Sequence, residues 1–340
     1  MQTILVTGGA GFIGSAFVRY MVEKYPHYRI IVLDKLTYAG NMDNLLPVSD
    51  EPNYKFYRGD IADHGAVRGV IETEKIDSIV NFAAESHVDR SILSPDAFIQ
   101  TDVMGVYVLL EEARRAGVTR FHQVSTDEVY GSIPVGFFKE GDPLEPNSPY
   151  AASKAGGEMM VRAYHVTYGM NTTVTRGSNT FGEYQYPEKV LPLFITEAID
   201  DRPLPVYGDG MQVRDWLYVD DHASAIDLVL HQGKPGEIYN VGGENEQHNI
   251  EVTRMMLRFL EKPESLIRYV KDRPGHDRRY ALTCEKIRAL GWHPSGDFPA
   301  LLEKTIRWYQ KNEWWWRKIK TGEYLEYYKK QYAERLTEGN

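Results

Sequence analysis

The sequence predicts an α/β fold: a parallel sheet doubly wound with helices, followed by a smaller C-terminal domain. Three observations carry this. Short β-rich runs alternate with helical stretches through the first half, which puts crossover helices on both faces of a parallel sheet. A glycine cluster directly follows the first β-rich run. The second half is less regular and richer in Pro, Gly and Tyr, yet no repeat or low-complexity linker separates it from the first.

Residues 4–7 read as the first strand and 12–24 as the helix after it, with Phe, Val and Met at helical spacing. Strands are expected at 30–34, 54–58 and 79–82, with a polar helix at 63–74 before the last of them. Pro95 opens a helix running to about residue 116, and 120–125 is the next strand. Pro149 opens a long helix, 149–168, and 172–176 follows as a strand. Later elements are helices at 188–200 and 220–231 and a strand at 238–241. Residues 1–180 are expected to form the sheet domain, with later return segments such as 210–243, and 181–340 a second domain intertwined with it.

Composition narrows the function classes. The chain has 340 residues, 39 Lys+Arg against 48 Asp+Glu and a net charge of −9, which argues against a general nucleic-acid binder. The lone Cys284 excludes an intrachain disulfide and any multi-cysteine metal site, and a cytoplasmic setting is expected. No uncharged apolar run approaches the roughly 20 residues that span a bilayer, and no secretory signal is expected before residues 3–7, which read as a buried strand.

Gly8-Gly9-Ala10-Gly11-Phe12-Ile13-Gly14 joins the first strand to the first helix and fits G-x-G-x-x-G. Glycines let the backbone approach a pyrophosphate, and the helix N-terminus offers free N–H groups. Asp34 ends the second strand, 20 residues after Gly14. A carboxylate there accepts from both ribose hydroxyls and repels a 2′-phosphate, which favours NAD over NADP. Lys35 weakens that preference slightly. A phosphate-binding NTPase loop is excluded, because Ser15 stands where that motif needs Lys. Asp60 and Ile61 after the third strand are placed at the adenine, and Ala83, Ala84 and Ser86 after the fourth along the cofactor.

Tyr150-Ala151-Ala152-Ser153-Lys154 puts Tyr and Lys on one helix face. A free Tyr titrates near pH ~10, and a neighbouring ammonium plus a positive nicotinamide would lower that and make it a base. In Val124-Ser125-Thr126-Asp127-Glu128-Val129-Tyr130-Gly131, two carboxyls stand side by side at the end of a sheet strand, where such folds bind ligands. A plain alcohol dehydrogenase has no use for both. Elimination of water has, since one group must remove a proton and another must protonate the leaving hydroxyl. Both can face inward only if the chain bends there, because successive strand side chains point to opposite faces.

With the glycine motif, Asp34, Asp60, Ser125 or Thr126, Tyr150 and Lys154 in this order, the chain resembles the extended short-chain dehydrogenase/reductase superfamily. The resemblance implies a Rossmann-type domain, a smaller C-terminal nucleotide-sugar-binding domain and NAD, held also by Thr37 and Asn179. Residues 124–131 resemble the active-site segment of the dTDP-glucose 4,6-dehydratase family. Glu85-Ser86-His87-Val88-Asp89-Arg90-Ser91, Tyr186-Pro187-Glu188-Lys189, Pro205-Val206-Tyr207-Gly208-Asp209-Gly210, residues 213–222 and residues 272–280 match further segments of it. The implied substrate is dTDP-glucose, and the implied product is the 4-keto-6-deoxy sugar plus water. The implied catalytic set is Thr126, Asp127, Glu128, Tyr150 and Lys154, with Asp127 as acid and Glu128 as base. The implied substrate contacts are Ser86, His87, Thr126, Asn179, Lys189, Pro205, Tyr207, Arg214, Asn249, Arg273, His276 and Tyr280. Arg214 and Arg273 are the expected diphosphate ligands, since Arg gives bidentate contacts. Relatives pair through two helices, so a homodimer through 95–116 and 149–168 is expected. No metal is expected at His222, because no ligand cluster accompanies it.

The chain departs from the family at Asp102, where Asn is usual, and at Asn179-Thr180-Phe181-Gly182-Glu183, where Asn-Asn-Tyr-Gly-Pro is usual. The alternatives are a dehydratase of UDP-, CDP- or GDP-sugars, an epimerase or decarboxylase of the superfamily, and a non-catalytic NAD sensor. The sensor would not retain both Tyr150 and Lys154.

Overall fold

The computed structural model describes residues 2–338. Its strands are β1 (Thr3–Thr7), β2 (Arg29–Asp34), β3 (Tyr54–Arg58), β4 (Ser78–Asn81), β5 (Arg120–Thr126), β6 (Thr172–Gly177), β7 (Asn179–Phe181), β8 (Leu204–Tyr207), β9 (Val213–Tyr218), β10 (Ile238–Val241), β11 (Glu246–His248) and β12 (Ile267–Val270). Seven form one sheet in the order β10-β6-β5-β4-β1-β2-β3, every neighbouring pair parallel. The order reverses between β1 and β4, and that switch point opens a crevice at the strands' C-terminal ends. β1 is buried throughout, as a strand covered on both faces must be.

One face carries the helices Phe12–Lys24 and Val219–Gln232 over Ile4, Val6, Ile30 and Val32. The other carries His64–Glu74, Val106–Ala116 and Pro149–Tyr168 over Leu5, Ile31, Ile79 and Phe121. The expected helix from Pro95 is a continuous rod with three parts: Asp96–Phe98, a π-helical stretch at Ile99–Gly105, and Val106–Ala116. The long helix starts where local chemistry dictates. Ser148 Oγ accepts from Ala151 N at 3.1 Å, Pro149 occupies the first turn, and Gly169 closes the end at φ +69°.

The later residues build a second core around Trp216, Phe298, Trp315 and Trp316, beneath the small sheets β11-β9-β7 and β12-β8. The halves interlock, since β10 pairs with β6 and the helix Val219–Gln232 packs on Phe12–Lys24. Trp315 Nε1 donates to Asn44 Oδ1 at 2.9 Å, and Asn44 Nδ2 donates to Ala10 O at 2.9 Å. A C-terminal indole thus braces the glycine turn. Among the described residues, no helix is long and apolar enough to cross a membrane.

Candidate active site

A cavity of about 390 Å³ runs from the switch point to the second core. It is lined by every cofactor, substrate and catalytic candidate named from the sequence. It is also lined by Glu85, Asp89, Glu188, Gln212, His222 and Tyr332, which motif reading did not single out as contacts.

At the cofactor end the backbone makes a cradle. Gly8 has φ +68°, and a Cβ on it would lie 2.5 Å from Ala83 N across the crevice. A Cβ on Gly14 would strike Gly8 O at 2.2 Å. Both positions exclude a side chain. The helix Phe12–Lys24 starts at Gly11 with no side-chain cap, which leaves N–H groups for an anion. Asp34 accepts from Ala10 N at 2.9 Å and from Leu36 N at 2.8 Å, so its carboxylate is fixed at the rim with lone pairs to spare. Burial pushes its pKa up, and these two bonds oppose that. Lys35 pairs with Asp60 at 2.6 Å. This engages the ammonium that a 2′-phosphate would need. The residues present therefore fit NAD.

The chain bends after β5, and Asp127 and Glu128 both line the cavity. β5 ends at Thr126, and Asp127–Tyr130 turn at once into a 3₁₀ helix capped by Thr126 Oγ1, which accepts from Glu128 N at 3.2 Å. Thr126 Oγ1 donates to Asp127 Oδ1 at 3.2 Å, while the buried Asp127 Oδ2 has no partner among the described residues. Burial, then the charges of Glu128 and Asp215, push Asp127 well above the usual carboxylate range. This environment favours its protonated form.

Lys154 Nζ donates to Val124 O at 3.0 Å, and burial lowers its pKa. Burial first, then Glu128 and Asp102, hold the Tyr150 phenol well above the ordinary value. The positive nicotinamide ring named in the sequence expectation would act against this burial and these charges.

Lys189 Nζ donates to Ser86 O at 2.6 Å and lies 5.8 Å from the Tyr150 ring centre, which sets it beside that phenol. Its neighbour Glu188 is buried, accepts from Tyr38 Oη at 3.1 Å and is pushed up to about 7 by burial. The far end holds Arg214, stacked 4.3 Å over Tyr280, and Arg273, which pairs with Asp89 at 2.6 Å. His276 is lowered to about 4 by burial and then by Arg273 and Arg214, so it is neutral and can accept or donate. The buried Oδ1 of Asn249 and Oε1 of Gln212 line the same end without protein partners among the described residues. At the departures, Asp102 is buried near Lys154, Thr180 Oγ1 meets His222 Nδ1 at 2.9 Å, and Glu183 accepts from Tyr218 Oη at 2.6 Å. No group of three or more His, Cys, Asp or Glu among the described residues could hold a metal ion.

Comparison with known proteins agrees with this architecture. A family model described as GDP-mannose 4,6 dehydratase matches residues 5–305. The dTDP-glucose 4,6-dehydratase of Escherichia coli is 47% identical, over 94% of this chain and 97% of its own. That of Streptomyces niveus is 49% identical, over 94% of this chain and 96% of its own. The crystal structure of DesIV, a dTDP-glucose 4,6-dehydratase from Streptomyces venezuelae with NAD and TYD bound, has a TM-score of 0.91 at 51% identity and covers 94% of this chain and 100% of its own. A UDP-glucose 4-epimerase from Thermotoga maritima, with UDP-glucose, has a TM-score of 0.85 at 30% identity over 92% of this chain and 100% of its own. The epimerase is similar in fold, but the dehydratases are similar in sequence over the same span. By that measure the chain belongs to the dTDP-glucose 4,6-dehydratase family of the extended short-chain dehydrogenase/reductase superfamily.

Proposed function

We propose that the chain converts dTDP-glucose to dTDP-4-keto-6-deoxyglucose and water. The observation that carries this is Asp127 and Glu128 on one 3₁₀ turn at the end of β5, lining the same cavity as Tyr150 and Lys154. Full-length relatives at 47% to 51% identity that carry dTDP-glucose in their names support the nucleotide.

In this reading Tyr150 takes the proton of the 4-hydroxyl, assisted by Lys154, and Thr126 hydrogen-bonds the C4 oxygen. NAD, when bound, supplies the redox chemistry by taking the C4 hydride and returning it to C6. The C4 ketone acidifies the C5 proton, which Glu128 removes. Asp127 gives its proton to the 6-hydroxyl, which leaves as water, and C5 is then reprotonated. The hydride that leaves C4 comes back at C6, so no external reductant is consumed. Arg214 and Arg273 take the diphosphate and Lys189 the sugar side. Residues 1–180 then hold mainly the cofactor and 181–340 mainly the nucleotide-sugar.

A homodimer is part of the proposal. Ile92, Leu93, Ile99, Met104, Met159, Val166 and Tyr168 are exposed along the short helix Val88–Leu93, the rod from Pro95 and the helix Pro149–Tyr168. A face of that kind is the sort a second copy covers. Sedimentation at twice the chain mass is expected, and a monomer at micromolar concentration contradicts it.

Incubation with dTDP-, UDP-, CDP- and GDP-glucose, followed by mass spectrometry, tests the activity. Loss of one water from the dTDP-sugar without added reductant is expected. An unchanged mass with a new hexose epimer contradicts it.

A further inference from the structure

Three parts of the chain converge on Asp89, which is buried behind the diphosphate end of the cavity. Its Oδ1 faces Arg273 Nη1 at 2.6 Å. Its Oδ2 accepts from Tyr207 Oη at 3.1 Å and from Gln331 Nε2 at 2.8 Å. Gln331 Nε2 also lies 2.9 Å from Tyr207 Oη. Gln331 belongs to the helix Glu323–Glu338, 242 residues from Asp89, and its neighbour Tyr332 lines the cavity.

A guanidinium has five N–H donors in a planar fork, and a carboxylate can engage two of them at once. Alone with Arg273, the Asp89 carboxylate would turn both oxygens to the fork and use up the donors that an anion needs. Tyr207 and Gln331 occupy Oδ2 and leave Oδ1 as the contact to Arg273. The buried Arg273 Nε keeps no partner among the described residues. The two donors also draw negative charge from Asp89, which lowers its repulsion of an incoming diphosphate.

We propose that Gln331 is a positioning residue of the diphosphate site, which holds Asp89 so that Arg273 keeps N–H donors for the substrate. This rests on the reading above that Arg273 binds the diphosphate. Gln331 acts through Asp89 and touches no reacting atom, so its loss weakens substrate binding and leaves the chemical steps alone.

The test is a double-mutant cycle by steady-state kinetics on the NAD-loaded enzyme with dTDP-glucose. Q331A is expected to raise KM roughly three- to ten-fold, with kcat within about two-fold of the parent. Q331E keeps the size of the side chain, sets a second carboxylate against Asp89 and is expected to raise KM further. R273A alone raises KM, and adding Q331A to R273A changes nothing more, because the two act in series. An unchanged KM in Q331A and Q331E overturns the proposal, and so does an equal rise in both backgrounds. A fall in kcat together with loss of bound NAD makes Gln331 a general structural residue and overturns it too. If R273A leaves KM unchanged, Arg273 is not the diphosphate ligand, and that reading fails along with this one.

Discussion

Asp102 Oδ2 lies 2.7 Å from Ser153 Oγ, one residue before Lys154 on the helix Pro149–Tyr168. Its other oxygen accepts from Glu85 N at 2.9 Å, so one buried carboxylate ties the turn after β4 to that helix. The contact is close: a Cβ on Gly157 would stand 2.5 Å from Asp102 O. Burial pushes Asp102 up to about 6, against the pull of Lys154. When ionised it favours the Lys154 ammonium and disfavours the Tyr150 phenolate.

D102N therefore shifts the pH–rate profile. Removing the negative charge lowers the Tyr150 pKa, so the acid limb of kcat/KM moves to lower pH by roughly one unit. The Lys154 pKa falls in the same variant, which pulls the alkaline side the same way. A pH titration of initial rates reads this directly. An acid limb that stays in place would show that the Asp102 charge does not reach Tyr150.

Asp127 and Glu128 separate in their effects. E128Q should abolish exchange of the C5 hydrogen in deuterium oxide. D127N should keep that exchange while water loss falls about 10²–10⁴-fold, since only the acid is gone. Asp127 must be protonated, so its contribution is present below its raised pKa and is lost as pH rises through it. NMR of the sugar in deuterium oxide distinguishes the two variants. Equal loss of exchange in both would remove the division of labour.

Y150F should lower kcat about 10²–10⁴-fold while dTDP-glucose still binds, because the phenol proton-transfer group is lost and the Arg end of the cavity is untouched. Calorimetric titration of the variant checks the binding. A rate near the parent's would transfer the proton of the 4-hydroxyl to another group.

G8A should destabilise the fold by about 1–3 kcal/mol, through its left-handed φ and the collision with Ala83 N. It should also remove most of the rise in Tm that NAD gives the parent. Thermal unfolding with and without NAD measures both. A full NAD-dependent rise in G8A would contradict the cradle.

Local features made much of this readable from sequence. The glycine turn, Asp34, Pro149 at a helix start and the Tyr150–Lys154 spacing each declare themselves within a few residues, and the turn, Asp34, Tyr150 and Lys154 line one cavity. What escaped is set by distance along the chain. Nothing near Asn44 announces Trp315, and nothing near Asp89 announces Gln331. The π-helical stretch inside the 95–116 helix also has no periodic signature. There Gly105 leaves room for Ile61, whose Cδ1 would lie 2.5 Å from a Cβ. The Tyr150 expectation weighed Lys154 and the nicotinamide but not the carboxylates of Glu128 and Asp102, which reach it only through the tertiary fold.

The central claim is an internal redox cycle around an elimination, and dTDP-glucose carrying deuterium at C4 tests it most directly. Mass spectrometry and NMR of the product should find the deuterium at C6, retained within the same molecule, with one water lost. Deuterium released to solvent, or kept at C4 of an epimerised hexose, would contradict the account.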